Sequence, residues 1–136
     1  MLLSPVNEIY IMKKVVNISD APRPIAPYSQ AVLAGDTLYV SGQIAIDPYS
    51  GTLVDGGAAE QTKRVMENIR AILKEENLNF THIVKCSIFM SDMSLYKDVN
   101  EVYGSYFQSD PPAREAIAAK GLPMGVDVEI SCIAVR

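Results

Sequence analysis

Histidine and cysteine are scarce in this chain of 136 residues, which carries one histidine and two cysteines. Because zinc is held by three or four nitrogen, sulfur or carboxylate ligands, a metal site built on histidine and cysteine is not expected. The two cysteines, Cys86 and Cys132, form no CxxC pair, and each is predicted to be a buried, inert thiol. Such sparse cysteine usage favours a reducing, cytoplasmic compartment.

Clustered basic residues and long apolar runs are also missing. The formal net charge is −4, and no basic run is longer than Lys13-Lys14. Because nucleic acids are bound through clustered lysine and arginine, no nucleic-acid partner is expected. No apolar stretch approaches the ~20 residues of a membrane span, and the first residues do not resemble a secretory signal. A membrane partner is therefore not expected either.

The chain does have the composition of an ordinary globular domain. Apolar residues make up 49% of the sequence and charged residues 21%, values that accompany a real hydrophobic core. The length suits one domain. We predict a single domain over residues 13–136, preceded by an N-terminal extension over residues 1–12. That extension lacks clear periodicity, and the sequence leaves open whether it is ordered or disordered.

Hydrophobic periodicity predicts six strands and two helices in the order β-β-β-α-β-α-β-β. The predicted strands cover residues 13–18, 29–34, 37–46, 83–90, 113–119 and 126–135, and the predicted helices cover residues 58–77 and 94–108. Ser94 is the predicted N-cap of the second helix. Two helices of this length can cover one face of a sheet, which indicates an α+β layer and not a doubly wound fold.

Strict alternation assigns the faces of two strands. In the third strand, one face is predicted to hold Leu38, Val40, Gly42, Ile44 and Ile46, and the other to hold Thr37, Tyr39, Ser41, Gln43 and Ala45. In the last strand, the helices are predicted to cover Val128, Ile130, Cys132 and Ala134. The opposite face includes Ile133 and Val135, which two helices cannot also cover. We therefore expect another subunit there, with Ser41 and Glu129 on the partner-facing side.

Arg114 and Glu129 are the residues of this sequence that most suggest chemistry. A guanidinium presents a planar fork of donors that matches a carboxylate in two parallel hydrogen bonds. A carboxylate held in a cleft can carry protons to and from water. On residue type alone, an arginine on a strand is more often an ion-pair residue, and Glu129 is equally compatible with an interface role.

Six short motifs, in order and with nearly ungapped spacing, resemble the YjgF/RidA family of reactive-intermediate imine deaminases. Members of this family are also labelled endoribonuclease L-PSP or translation inhibitor. The matching motifs are residues 26–31, 40–44, 47–51, 99–103, 112–114 and 122–130. The resemblance implies a mixed β-sheet with two helices packed on one face, a chorismate-mutase-like arrangement. It also implies a homotrimer whose sheets line a central barrel, with sites in clefts between subunits.

The resemblance further implies an activity. Members hydrolyse reactive 2-imino and 2-enamino acids, such as 2-iminopropanoate and 2-iminobutanoate, to 2-oxo acids and ammonia without a cofactor. Carried over by position, Arg114 would grip the substrate carboxylate, while Glu129 would orient water and relay protons. Tyr28 would lie near the imine as a third catalytic residue. The residues implied to bind substrate are Ser41, Gly42, Asn100 and Ala116, with Gly42 and Ala116 acting through their backbone N–H groups.

Alternatives to this interpretation remain open at the level of sequence. A non-catalytic trimer that senses 2-oxo acids or related metabolites would need the Arg114 clamp but not Glu129. A ribonuclease is the weakest alternative, since the chain is acidic. The sequence also departs from the family pattern with Glu115 and Ala116 after the arginine and with Ser131 two residues after Glu129. Glu115 is expected to point away from Arg114, and these changes leave the preferred substrate undecided.

Overall fold

A computed structural model describes residues 12–136 of the protein. The extension predicted for residues 1–12 lies, apart from Met12, outside the described residues. The strands are β1 (Lys13–Val16), β2 (Ala31–Ala34), β3 (Thr37–Gln43), β4 (Ile83–Met90), β5 (Ala113–Ala118) and β6 (Val128–Val135), and the helices are α1 (Ala58–Glu75) and α2 (Tyr96–Gly104). The predicted order of strands and helices is confirmed within this part of the chain.

The six strands form one sheet in the order β1-β2-β3-β6-β4-β5. β4 and β5 are parallel and are connected through α2, whereas the other neighbouring strands are antiparallel. A parallel pair needs such a crossover, because a short hairpin can join only antiparallel strands. The result is the predicted α+β arrangement, a mixed sheet with two helices on one face.

The core lies between this sheet and the helices. One apolar stripe of α1 is fully buried, and it consists of Val65, Met66, Ile69, Ile72 and Leu73. The face of β6 predicted to meet the helices is buried as well, and it consists of Val128, Ile130, Cys132 and Ala134. Complete burial of each large aliphatic side chain contributes about 1.5–3 kcal/mol. These two surfaces hold the sheet and α1 together.

The face assignment predicted for the third strand is wrong from Gly42 onward, whereas Ser41 lies on the predicted side with Glu129. The register pairs Val40 with Cys132 and Gln43 with Ile130, so three steps on β3 oppose two on β6. This β-bulge inserts one residue and reverses the alternation that follows it. Gln43 is therefore 5% exposed and shares the core side with Val40, while Gly42 leaves that side. The ladder also ends at Gln43, three residues before the predicted end.

The predicted N-cap of the second helix is also wrong. The N-cap of α2 is Leu95, which makes no side-chain capping bond. Asp92 caps the turn before the helix, where its side chain accepts a hydrogen bond from the N–H of Ser94 at 2.7 Å. A single 3-10 turn, Met93–Leu95, then leads into α2. The Asp92 carboxylate suits the start of this turn because it accepts from a backbone N–H that has no partner within the turn. α2 ends at Gly104, four residues before its predicted end.

One face of the sheet carries no covering element among residues 12–136. Its apolar side chains are half-buried or exposed, and they include Tyr39, Phe89, Ile117, Ile133 and Val135. Several exposed apolar side chains on one face of a sheet are typical of an interface between subunits. Within the described residues, neither helix combines the length and the apolar character needed to cross a bilayer.

Candidate active site

A cavity of about 390 Å³ opens beside Glu129 at the end of β6. Its lining combines one carboxylate, two hydroxyl groups and several apolar side chains, contributed by Ile25, Ala26, Tyr28, Ser41, Gly42, Ile44, Pro123 and Glu129. Four residues predicted from the sequence therefore meet here, namely Tyr28, Ser41, Gly42 and Glu129. Apolar walls with a few convergent polar groups are characteristic of small-molecule sites.

The β3 bulge brings the backbone of Gly42 against the carboxylate of Glu129. A Cβ added at Gly42 would overlap the Oε1 and Cδ atoms of Glu129, so only glycine leaves that carboxylate in place. Burial raises the pKa of Glu129 above its usual value, because desolvation disfavours the charged form. A carboxyl group with a raised pKa is better suited to exchange protons near neutral pH.

The hydroxyl groups of Tyr28 and Ser41 are both oriented by nearby backbone atoms. The Tyr28 oxygen accepts a hydrogen bond from the backbone N–H of Ile25 at 3.3 Å, so its own proton can be donated to a ligand. Ser41 donates its hydroxyl proton to the carbonyl of Ser29 at 2.6 Å. Its lone pairs stay available to accept, and the two hydroxyl groups therefore offer complementary hydrogen bonds to a ligand.

A second group of predicted residues surrounds Arg114 on β5. The guanidinium donates to Asn100 Oδ1 at 2.7 Å and to the Tyr96 hydroxyl at 3.0 Å. It also lies over the rings of Tyr96 and Tyr103, with 5.6 and 5.1 Å between Cζ and the ring centroids. Arginine has five N–H donors, so three remain after these two bonds. α2 therefore holds the fork in place while leaving enough donors for a carboxylate.

Ala116 lies two residues beyond Arg114 on the same face of β5. Farther along, the N–H of Ala119 donates to Met90 of β4 at 2.8 Å. Backbone N–H groups alternate in direction along a strand, so the N–H of Ala116, three residues earlier, points to the open edge of β5. Because the backbone supplies this donor, alanine is compatible with the role implied for position 116.

The two groups lie on opposite faces of the sheet in one chain. Arg114 pairs in register with the buried Cys86, and Glu129 pairs with Phe89, which lies three residues farther along β4. Paired residues share a face, whereas residues three apart on a strand do not. Arg114 therefore faces α2 and Glu129 faces the uncovered side. The groups predicted to act together do not share a cavity within a single chain.

Glu115 points away from Arg114, as strand alternation predicts. Its carboxylate pairs with Lys85 Nζ at 3.1 Å and accepts a hydrogen bond from Ser87 at 3.1 Å. The bond to Lys85 lowers the pKa of Glu115, so the residue is an ionised partner of lysine. This departure from the family pattern therefore leaves the Arg114 side of β5 unchanged.

Tyr96 is a residue of this site that the sequence analysis did not single out. It precedes Asn100 by four residues and Tyr103 by seven, the spacing that puts side chains on one face of a helix. From this spacing the sequence could have predicted that Tyr96, Asn100 and Tyr103 contact the same side chain. What remained hidden was that the partner is Arg114, because the contact joins α2 to a strand.

Replacing Gly42 by alanine should lower by about tenfold or more the kcat of a reaction that uses Glu129 as proton carrier, because the new methyl group displaces its carboxylate. The fold should persist, and thermal unfolding measured beside turnover separates the two effects. Gly104→Ala is the matched control, since a Cβ there meets nothing within 4 Å. Wild-type turnover in Gly42→Ala would contradict the placement of Glu129.

Comparison with known proteins assigns the chain to a family. The family model described as endoribonuclease L-PSP matches residues 18–136. The chain is 47% identical to a rat protein named 2-iminobutanoate/2-iminopropanoate deaminase, over 93% of this chain and 92% of that protein. The human protein of the same name is 43% identical over the same shares of the two chains. A Rid family protein from Yersinia pestis is similar in structure, with a TM-score of 0.89 and 39% identity over 92% of this chain and all of that one.

These matches, the mixed sheet and the two groups of polar residues define a small α+β protein of the Rid type. The chain belongs to the endoribonuclease L-PSP family, which is the YjgF/RidA family that its motifs resemble.

Proposed function

We propose that this protein hydrolyses short 2-imino acids, and their 2-enamino tautomers, to 2-oxo acids and ammonia. The mammalian relatives that are 43–47% identical carry the name of this activity. The observation that supports it most directly is the carboxyl group of Glu129, which lies half-buried in a cavity and has a raised pKa. A binding protein has no need of such a proton carrier.

We infer that each complete site needs two copies of the chain. Arg114 and Glu129 face opposite sides of one sheet, so a single copy cannot present both to a small molecule. The Glu129 cavity opens on the uncovered face, where a second copy would pack. Arg114 lies on β5, an edge strand of the sheet. A homotrimer in which one copy's β5 edge meets the next copy's Glu129 cavity satisfies both conditions.

The proposed reaction begins with binding of the carboxylate by Arg114 and the N–H of Ala116. A protonated imine is already electrophilic at carbon, so no metal or covalent nucleophile is needed. The oxygen of a water molecule bonds to that carbon while Glu129 accepts a proton from the same water. The C=N electron pair moves to nitrogen. Glu129 then returns a proton to the nitrogen of the resulting carbinolamine. The C–N bond then breaks with its electron pair leaving on ammonia, and the hydroxyl group gives its proton back to the Glu129 carboxylate as it becomes the 2-oxo group.

Tyr28 and Ser41 orient the reacting groups in this scheme. Tyr28, placed near the imine end of the substrate, donates its proton towards the hydroxyl oxygen of the carbinolamine, since its own oxygen already accepts from the backbone N–H of Ile25. Ser41 accepts from the attacking water or the departing nitrogen. Asn100 acts through Arg114, because its Oδ1 atom is occupied by the guanidinium. This differs from the direct substrate contact that the family resemblance implied for Asn100.

A trapping assay tests the proposed activity. A pyridoxal-phosphate dehydratase acting on serine or threonine releases the enamine and imine, which semicarbazide traps in competition with hydrolysis. Addition of this protein should reduce the trapped fraction and accelerate 2-oxo acid formation. The Glu129→Gln protein is the matched control, because it retains the cavity and the arginine.

Two results of this assay point away from a deaminase. No competition across several side-chain sizes, with a folded assembly, would refute the activity. If 2-oxo acids nevertheless bind in an Arg114-dependent manner, the non-catalytic sensor becomes the better description. Both the homotrimer and the cytoplasmic location stay predictions, which sedimentation and cell fractionation can check.

The Ile133→Glu substitution should dissociate the assembly, because it buries a charge at the uncovered face of the sheet. We expect a folded monomer in sedimentation and loss of imine hydrolysis. Lys74→Glu on the exposed side of α1 is the control and should keep both properties. An active monomeric Ile133→Glu protein would contradict the site between copies.

A further inference from the structure

The segment that leads to Tyr28 is fixed by one buried side chain, the amide of Gln30. Gln30 is only 1% exposed. Its Oε1 atom accepts from the N–H of Ile18 at 2.7 Å, and its Nε2 atom donates to the carbonyls of Ile18, Ala21 and Pro22 at 3.0, 3.2 and 2.8 Å. The Gln30 side chain therefore supplies the hydrogen-bond partners that the backbone of a neighbouring strand would otherwise supply to this loop.

The composition of the loop explains why it depends on a side chain. Proline occupies positions 22, 24 and 27, and each proline lacks the N–H that a strand ladder requires. The carbonyls of Ala21 and Pro22 still need donors, because buried polar groups without partners are costly. Gln30 supplies those donors from the residue just before β2.

The backbone of Gln30 connects this loop to the other side of the cavity. Its N–H donates to Asn17 Oδ1 at 3.0 Å, and its carbonyl accepts from the N–H of Ser41 at 2.9 Å. Ser41 also donates its hydroxyl proton to the neighbouring carbonyl of Ser29. The loop before Tyr28 and the β3 bulge are thus joined through residues 29 and 30, which line no part of the cavity themselves.

We propose that Gln30 is a positioning residue for the hydrolysis: its side chain fixes loop 17–28 and thereby sets the place of Tyr28 and Ser41 beside Glu129. The role rests on the proposed function, since it concerns turnover at that site. Gln30 touches no substrate. It acts by holding two hydroxyl groups in a geometry where displacement by about 1 Å can lower the rate about 100-fold.

A double-mutant cycle between Gln30→Glu and Tyr28→Phe tests this coupling. Glutamate keeps the size and the Oε1 acceptor but loses the amide donors. We expect each single variant to lower kcat by about tenfold, with KM changed less, because the Arg114 clamp lies outside the loop. Because Gln30 acts partly through Tyr28 and partly through Ser41, the double variant should be slower than either single variant but clearly faster than the product of the two single effects predicts. Effects that multiply, or a wild-type kcat in Gln30→Glu, would overturn the proposal.

The pH dependence of the same variant supplies a second readout. A carboxyl group surrounded by carbonyl oxygens has a raised pKa, and only its protonated form can donate a hydrogen bond. The activity of Gln30→Glu relative to the wild type should therefore rise as the pH falls from about 8 to about 6. A constant ratio would indicate that loss of the donor is not what slows turnover.

Leu33→Ala is the matched control on β2. Leu33 is a buried core residue, so its truncation lowers stability by about 2–5 kcal/mol without touching loop 17–28. Assayed well below its melting temperature, this variant should keep the wild-type kcat and KM. A loss of kcat equal to that of Gln30→Glu would assign the effect to stability alone.

Hydrogen exchange separates this inference from the proposed activity. In the Gln30→Glu protein, amides of loop 17–28 should exchange faster while α1 is unchanged, and Leu33→Ala should lack this selective effect. If the wild-type protein hydrolyses no imine, the proposed function fails. The exchange comparison still shows whether Gln30 fixes loop 17–28. If Gln30→Glu does not fold, Gln30→Met, which also removes the amide donors but adds no charge, enters the same cycle and exchange measurement. Unchanged loop exchange in the folded variant would overturn the role of Gln30.

Discussion

Replacing Arg114 by lysine should lower kcat/KM for 2-imino acids by about 100-fold or more, nearly as much as replacement by alanine. A lysine keeps the charge but cannot form two parallel hydrogen bonds to a carboxylate. Charge-assisted bonds contribute about 1.5–3 kcal/mol each, and 3 kcal/mol corresponds to about 100-fold in rate. Steady-state kinetics in the dehydratase-coupled assay measures the effect.

The surroundings of Arg114 sharpen this expectation. Asn100 and Tyr96 accept from two separate nitrogens of the guanidinium, and the ring of Tyr103 lies against it. An ammonium group at the end of a flexible chain cannot satisfy both acceptors and still face the substrate. Arg70→Lys is the matched control, since Arg70 also stacks on aromatic rings, those of Phe80 and Tyr106, but lines no part of the proposed site. Retention of most activity by Arg114→Lys would refute the bidentate clamp.

The Glu129→Gln substitution should lower kcat by about 100-fold or more, with little change in KM or in assembly. Proton transfer by a positioned group contributes about 10²–10⁴-fold to a rate, whereas glutamine keeps the size of the side chain. Glu75→Gln on the exposed end of α1 is the control for loss of a single carboxylate. An unchanged rate in Glu129→Gln would remove this residue from the mechanism.

The pH profile should report the same group. Burial raises the pKa of Glu129, and water activation needs its ionised form. As the pH falls through this raised pKa, the carboxylate is protonated and kcat/KM should fall, at a higher pH than for an ordinary glutamate. An Arg114 side chain from a second copy would oppose this rise in the pKa of Glu129. The pH at which kcat/KM falls on the acid side therefore reports how closely the guanidinium approaches the carboxylate. If kcat/KM of Glu129→Gln falls at the same acidic pH, this fall would belong to the titration of another group.

Much of the fold could be predicted because it follows from simple periodicity. Val65, Met66 and Ile69 mark the buried side of α1, and alternation along β6 separates Ile130 from Glu129. The same rule failed at Gln43, because one inserted residue reverses every later face and leaves no sign in an apolar pattern. The Gly42 contact with Glu129 depends on that inserted residue and could not be anticipated from alternation.

The candidate site was predictable in its residues but not in its arrangement. Arg114 and Glu129 were selected by chemistry and by family resemblance. Their separation onto opposite faces depends on the register of both strands against β4, which a single sequence does not reveal. The roles of Tyr96 and Gln30 were missed for a similar reason. Each joins segments that lie apart in sequence and meet only after the sheet has formed.

Mixing two inactive variants tests the central claim most directly. Arg114→Ala and Glu129→Gln are refolded together, so that both kinds of chain enter one assembly, and imine hydrolysis is then measured. In a trimer with sites between neighbours, each mixed assembly regains one intact site, and random mixing should restore about a quarter of wild-type activity. The same proteins refolded separately serve as the control and should stay inactive. Absence of recovery in assemblies proven to be mixed would contradict a site that takes Arg114 from one copy and Glu129 from another.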